Sequence, residues 1–210
     1  MFTPVHYESG YAYPLLIWLH GPGANDERQL LRIMPMISLR NYVAVAPRGF
    51  RQEGDETGEK SYDWPQTPEY IQEAECRVFD CIEAAQSRWR ISPKRIFLAG
   101  FDAGGTMAFR VAMNHPRRFA GVLSLAGAFP NGHRPFVQLL EARKLPVLLA
   151  VGRDSPVYSP ERACEDLRLF HTAGISVALR QYPCAQQLAP QMLRDVDRWI
   201  MEQIAAPASK

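Results

Sequence analysis

The chain has 210 residues, of which 47% are hydrophobic, so it is long enough to bury a substantial core as one domain spanning residues 1–210. Its 24 basic and 22 acidic residues give a formal net charge of +2, and the basic residues are scattered, which argues against a nucleic-acid partner. No apolar run approaches the roughly 20 residues that cross a bilayer, and the N-terminus shows no signal-peptide pattern, so a cytoplasmic protein is expected.

The first part of the sequence predicts two buried strands with a helix between them. The continuous apolar run 14–19 is typical of a strand covered on both faces of a parallel sheet, and the run 42–47 predicts a second such strand. Asn25 or Asp26 is expected to cap the intervening helix, which Pro35 should bend or end.

The segment 48–68 is polar and long for a connection. Loops of this kind at the carboxyl edge of a sheet usually shape a site, so its aromatic residues Tyr62 and Trp64 are candidate ligand contacts. A long helix over 69–89 and an apolar strand that ends at Gly100 are predicted to follow.

The second half of the chain continues the alternation of strands and helices. Helices are predicted over 104–115, 136–142, 160–172 and 192–204, and strands over 121–126, 146–151 and 177–182. This pattern predicts a mostly parallel sheet with helices on both faces and right-handed crossovers. In such sheets ligands bind beyond the carboxyl ends of the strands.

One stretch at such a strand end has the pattern of a nucleophile elbow. The apolar strand breaks into Gly100-Phe101-Asp102-Ala103-Gly104-Gly105, a sharp turn into the next helix. The glycines allow the backbone to pass close to itself, and the residue between them is expected in a strained conformation. In most such elbows that residue is a serine, whereas here it is Asp102.

Three further segments fall at the carboxyl ends of predicted strands. They are the loop 20–23 after the first strand, the turn 152–157 that contains Asp154, and the loop 182–188 that contains Gln186. Together with Asp102 they stand in the order oxyanion loop, nucleophile, acid and base. That is the chain order of an α/β-hydrolase.

On these motifs the chain resembles the phospholipase/carboxylesterase branch of the α/β-hydrolases, which contains small esterases and acyl-protein thioesterases. The resemblance runs from Leu15 to Ile204. It implies an α/β-hydrolase fold without a cap domain, a small acyl or ester-like ligand, no cofactor or metal, and often a homodimer. The family has serine in the elbow and histidine in the last loop, so Asp102 stands at the nucleophile, Asp154 at the acid and Gln186 at the base.

The resemblance also locates an oxyanion hole. One donor would be the backbone N–H of Ala103, and the other would come from the residue after Gly21, which is Pro22 and has no N–H. Losing one such donor typically costs about 10² to 10³ in rate. A shift of the loop would allow Gly23 to donate instead.

Asp102 has several interpretations. It could be a nucleophile, as in haloalkane dehalogenases and epoxide hydrolases, but those enzymes need a histidine to release the ester. None of the five histidines follows the last predicted strand, and Gln186 cannot take a proton at neutral pH. His20 is expected to be structural. Asp102 could instead cap the following helix or contact a ligand. A cation site built from Asp102 and Asp154 is disfavoured because two carboxylates bind divalent metals poorly.

These residues lead to a hypothesis for the pocket. Asp102 and Asp154 are expected on either side of the space that a histidine would fill, with the amide of Gln186 bridging them. The favoured function is a hydrolase-fold protein that lacks serine esterase activity and acts as a binding or regulatory module. The alternative is an active carboxylic-ester hydrolase that uses Asp102 or an unrecognised group.

Overall fold

The computed structural model describes residues 1–23, 26–51, 61–132 and 136–206. Its strands, in chain order, are β1 (Tyr13–Leu19), β2 (Val43–Val45), β3 (Phe50–Arg51), β4 (Tyr62–Asp63), β5 (Ile91–Phe101), β6 (Gly121–Leu125), β7 (Val147–Gly152) and β8 (Val177–Tyr182). The helices are α1 (Asp26–Ile37), α2 (Pro68–Arg88), α3 (Ala103–Asn114), α4 (Leu139–Ala142), α5 (Pro160–Ala173) and α6 (Pro190–Ala205), with a 3-10 turn at Pro116–Arg118.

Six strands form one parallel sheet in the order β2-β1-β5-β6-β7-β8, and β3 pairs with β4 in a separate antiparallel ribbon. Every residue of β1 is buried, as its continuous apolar sequence predicts for a strand inside a parallel sheet. Alternate β1 side chains enter different cores. Leu15 and Ile17 pack in the layer of α2, α3 and α5, whereas Leu16 and Trp18 pack in the layer of α1 and α6.

The register of the strands brings their carboxyl ends to one edge of the sheet. Leu19 of β1 pairs with Gly100 of β5, and Gly100 pairs with Ser124 of β6. The segments that follow these strands therefore start side by side. This edge is where ligands bind in open parallel sheets.

The predicted elements are found, with changes at their ends. Pro35 lies inside α1 and does not end it, because the helix continues to Ile37 and buries its apolar face against α6. β2 is shorter than predicted, and β5 begins at Ile91, ahead of the apolar run. Asn25 lies outside the described residues. Among the helices described, none has both the length and the apolar character needed to span a membrane.

Candidate active site at the carboxyl edge of the sheet

Asp102 occupies the tight turn between β5 and α3. Its backbone has φ 55° and ψ −123°, a conformation that is strained for a residue with a side chain. Close packing of glycines holds this turn: a Cβ on Gly104 would lie 2.3 Å from the carbonyl oxygens of Leu19 and His20, and one on Gly100 would lie 2.3 Å from that of Gly104. The turn therefore has the geometry that the elbow motif predicts.

The carboxylate of Asp102 does not cap α3. Its side chain makes no hydrogen bond to the amides of the first helical turn, so the capping interpretation was wrong. Instead, one carboxylate oxygen, Oδ2, accepts a hydrogen bond of 2.7 Å from Nε2 of Gln186. The sharp backbone turn directs the side chain toward the loop after β8 and away from its own helix.

Gln186 connects the ends of several strands through a single amide. In addition to Asp102, its Nε2 donates to the carbonyl oxygen of Ala126, at 2.9 Å, just after β6. Its Oε1 accepts a hydrogen bond of 2.6 Å from Oγ of Ser155, just after β7. Ser155 is buried, and its Oγ accepts the backbone N–H of Tyr158 at 3.0 Å. We call these links the Ser155–Gln186–Asp102 chain.

The predicted bridge between two acids is wrong in its second half, because Gln186 reaches Ser155 and not Asp154. The side chain of Asp154 is 58% exposed and pairs with Arg153 at 3.2 Å. Its backbone N–H bonds to the carbonyl oxygen of Cys184, which holds the turn so that Ser155, the next residue, points inward. Arg153 and Asp154 are both exposed in this turn and Ser155 is buried, and the only sequence signal for Ser155 was its place beside Asp154.

His20, which directly follows β1, is a structural residue, as expected. It is fully buried, its Nδ1 donates to the carbonyl oxygen of Gly21 at 2.8 Å, and its Nε2 accepts the backbone N–H of Gly49 at 3.0 Å. These carbonyl and amide partners assign the neutral tautomer with the proton on Nδ1. Trp64 is also buried, and its Nε1 donates to the carbonyl oxygen of His20 at 3.0 Å. Trp64 thus stabilises this loop through the hydrogen bond of its indole N–H.

The loop 20–23, which the resemblance predicts to be the oxyanion loop, offers few donors. Pro22 and Gly23 are both exposed, and the N–H of Gly23 already donates to the carbonyl oxygen of Tyr62 at 3.0 Å. The half-buried Tyr62 is covered by the guanidinium of Arg48, 5.4 Å from its ring centre. Ala103 is the first residue of α3, where an amide has no acceptor within the helix. In this conformation Ala103 keeps its role as a candidate donor, whereas Gly23 does not.

Two buried charged residues that the sequence did not single out fix the loop after β6. Arg110 of α3 donates to the carbonyl oxygens of Asn131 and Gly132, and its burial lowers the pKa of its guanidinium. Asp166 of α5 accepts the backbone N–H of Phe129 at 2.7 Å, and its burial raises the pKa of its carboxyl group. Neither lies in a recognisable motif, so only packing reveals them.

The histidines of the described residues lie in other surroundings. His115 pairs with Glu75 at 3.2 Å near the end of α3, His20 is bonded within its loop, and His6 and His171 are exposed. His133 lies outside the described residues. Within the described parts of the chain, no three or more His, Cys, Asp or Glu side chains are grouped as a metal site.

The parallel sheet, the helices on both faces and the elbow at its carboxyl edge define an α/β-hydrolase-fold protein. A family model described as Phospholipase/Carboxylesterase matches residues 4–204. The chain belongs to that family.

Several known proteins are similar to this chain. NocK of Nocardia uniformis subsp. tsuyamanensis, whose name describes it as an esterase, is 30% identical over 146 residues, covering 69% of this chain but only 40% of NocK. A protein named as a probable carboxylesterase of Oryza sativa subsp. japonica is 23% identical, covering 92% of this chain and 89% of that protein. The crystal structure of Arabidopsis thaliana SOBER1 superposes with a TM-score of 0.76 at 20% identity, covering 92% of this chain and all of SOBER1.

Proposed function

We propose that this phospholipase/carboxylesterase family member lacks serine esterase activity and serves as a binding or regulatory module. The observation that carries the proposal is the environment of Gln186. Both polar atoms of its side-chain amide are hydrogen-bonded: the nitrogen donates to Asp102 and Ala126, and the oxygen accepts from Ser155. A carboxamide in this position is neutral and has no basic nitrogen.

Acyl transfer needs an activated nucleophile and a group that takes and returns its proton. A serine hydroxyl would be the usual nucleophile at the elbow, and the carboxylate of Asp102 stands there instead. The hydroxyl of the buried Ser155 accepts a backbone N–H and donates to Gln186, so it is not presented to a substrate. Among the described residues, no histidine stands beside the elbow to serve as the base of a serine esterase.

The oxyanion loop supports the same proposal. Pro22 has no N–H, and the N–H of Gly23 is bonded to Tyr62. Ala103 is left as the donor that the family pattern implies. A site with one of two oxyanion donors is expected to be slower by about 10² to 10³ even when the nucleophile and base are present.

The alternative is a hydrolase that works through Asp102, and the strained elbow favours it because it presents the side chain at the edge of the sheet. Attack by a carboxylate oxygen on a saturated carbon would displace the leaving group with its electron pair and form an ester. Releasing that ester requires a base that activates water. Gln186 cannot do this, so the ester would accumulate.

A hydrolysis assay separates these two functions. We expect the wild-type protein to show no steady hydrolysis of short p-nitrophenyl acyl esters, and no turnover of an alkyl halide beyond the first equivalent. The Asp102→Ser/Gln186→His double variant should hydrolyse the same esters at a low rate, since Ser155 offers its histidine no carboxylate.

The control for this assay is Asp80→Asn, which removes an exposed carboxylate in the middle of α2. Steady turnover by the wild type that survives in Asp80→Asn and disappears in Asp102→Ala would establish the hydrolase and reject the binding module.

A further inference from the structure

The direction of the Ser155–Gln186–Asp102 chain follows from its contacts. The carbonyl oxygen of Ala126 can only accept, so the amide atom 2.9 Å from it is the nitrogen of Gln186. The amide oxygen is then the atom that faces Ser155. The hydroxyl of Ser155 already accepts a backbone N–H from Tyr158, so its own proton is directed to Gln186. All donors in this chain point toward Asp102.

Asp102 is the last acceptor of the Ser155–Gln186–Asp102 chain, and one of its two carboxylate oxygens takes no part in that chain. Its Oδ2 accepts the amide of Gln186, while among the residues that the structure describes no donor reaches Oδ1. The side chain is half-buried at the carboxyl edge of the sheet, where it can meet a ligand. The two N–H groups of Gln186 are both engaged, so the amide cannot turn a donor toward the ligand without breaking a bond.

Among the described residues, the partner of the Asp102 carboxylate is the neutral amide of Gln186. Arg153, the cation in the neighbouring turn, pairs with Asp154. In the described structure no cationic side chain pairs with Asp102.

We propose that this site binds a ligand through a primary ammonium group, which donates a charge-assisted hydrogen bond to Oδ1 of Asp102. The inference rests on the proposed binding function and names the chemical class of its ligand. A serine hydrolase site of this fold presents donors to the carbonyl oxygen of an ester, whereas this site presents an anionic acceptor. A carbonyl or carboxylate group placed beside Asp102 would meet a like partial or full charge.

The test is a titration followed by amide chemical shifts in NMR, with three probes of equal length: butylammonium, butanol and butyrate. We expect butylammonium to shift the amides near residues 102, 126 and 186, and to bind at least about tenfold more tightly than butyrate, as charge-assisted hydrogen bonds imply. Nα-acetyl-lysine methylamide is a fourth probe. It binds comparably if the site accepts a lysine side chain, and more weakly if only small amines fit.

The matched variants are Asp102→Asn and Asp80→Asn, which remove the same charge at the elbow and on an exposed face of α2. Asparagine can still accept from Gln186, so we expect the first variant to stay folded and to bind butylammonium about tenfold more weakly or worse. Asp80→Asn should bind it as the wild type does. Asp102→Ser, the residue usual at such elbows, should show the same loss and guards against a folding defect in the first variant.

Butyrate that binds as tightly as butylammonium at these amides would overturn the inference, and so would unchanged amine affinity in both Asp102 variants. Absence of amine binding in a protein that also hydrolyses no ester rejects the ammonium ligand alone. Ester turnover that depends on Asp102 rejects the proposed function, whatever the amine does.

Discussion

At the scale of single residues, Gln186 makes contacts that a histidine could not reproduce. Its amide donates two hydrogen bonds, to Asp102 and Ala126, and accepts one from Ser155. An imidazole ring has only two nitrogens. Asp102 and Ala126 both have positive φ, with values of 55° and 54°. The amide therefore stabilises two strained turns at once, each of which costs about 1 to 3 kcal/mol.

Gln186→Glu tests this arrangement at one atom. In the wild type, Nε2 of Gln186 lies 2.7 Å from Oδ2 of Asp102. The substitution puts a carboxylate oxygen in place of that nitrogen and removes the donor to Ala126. We expect it to lower the free energy of unfolding by about 1 to 3 kcal/mol near neutral pH, measured by urea denaturation. The loss should shrink as the pH falls, because one proton bound to the carboxyl pair restores a donor between them.

Gln187→Glu is the control for this prediction, because it adds the same charge at the exposed neighbouring position. Its stability is expected to follow the wild type across the same pH range. Equal losses in the two variants, or a loss in Gln186→Glu that grows on acidification, would contradict the arrangement.

At the scale of elements, α3 is packed so closely against β1 and the loop after it that position 104, in its first turn, has no room for a side chain. A Cβ at Gly104 would meet the carbonyl oxygens of Leu19 and His20, which are backbone atoms and cannot rotate away. The same contact places the oxyanion loop beside the elbow. The position of the site and the packing of α3 therefore both depend on the absence of a side chain at Gly104.

Gly104→Ala is expected to destabilise the protein although alanine is the better helix former. Helix propensity favours alanine by roughly 1 kcal/mol. The 2.3 Å contacts with backbone oxygens force α3 or β1 to move, and overpacking of this kind costs about 1 to 3 kcal/mol or more. We therefore expect a net loss in the free energy of unfolding, measured by urea denaturation.

Gly10→Ala provides the matched control, because a Cβ at Gly10 would meet nothing within 4 Å. Its stability should lie within about 1 kcal/mol of the wild type, and a small gain is expected from the restricted unfolded chain. If Gly104→Ala were as stable as Gly10→Ala, the close packing of the elbow would not exist in solution.

At the scale of the whole molecule, the buried carboxyl group of Asp166 connects helix α5 to the loop after β6 and to the segment after β7. Asp166 of α5 accepts the N–H of Phe129 in the loop after β6 and the hydroxyl of Tyr158, at 2.7 and 2.8 Å. Arg162 lies 3.4 Å away in an ion pair. Burial raises the pKa of Asp166 more than these donors lower it. The folded protein therefore binds this proton more readily than the unfolded chain does.

This difference predicts the pH dependence of stability. Because the pKa of Asp166 is higher in the folded state, its contribution is greatest at low pH and falls as the pH rises from about 4 through the raised value. In Asp166→Asn this component is absent. We expect the free energy of unfolding of the wild type, relative to the variant, to decrease with rising pH in urea denaturation at a series of pH values.

Asp80→Asn serves again as the control, since it removes an exposed carboxylate and should show no such decrease. A difference between wild type and Asp166→Asn that increases with pH would mean that the hydrogen bonds and Arg162 outweigh burial.

The sequence alone determined the strand and helix alternation, the elbow at Asp102 and the loop after the first strand that contains Pro22. These features depend on local composition: apolar runs form buried strands, glycines permit tight turns, and proline has no N–H in any fold. The family resemblance followed from the order of these motifs, and the match over residues 4–204 confirms it.

Only the tertiary structure decided which side chains meet at the site. Ser155 takes the contact expected for Asp154 because the turn after β7, held by the bond from the Asp154 N–H to Cys184, leaves Asp154 exposed and buries Ser155. Gly23 gives its N–H to Tyr62, a residue on a distant part of the chain. Such contacts depend on the register of separate segments, and no local pattern of residues specifies that register.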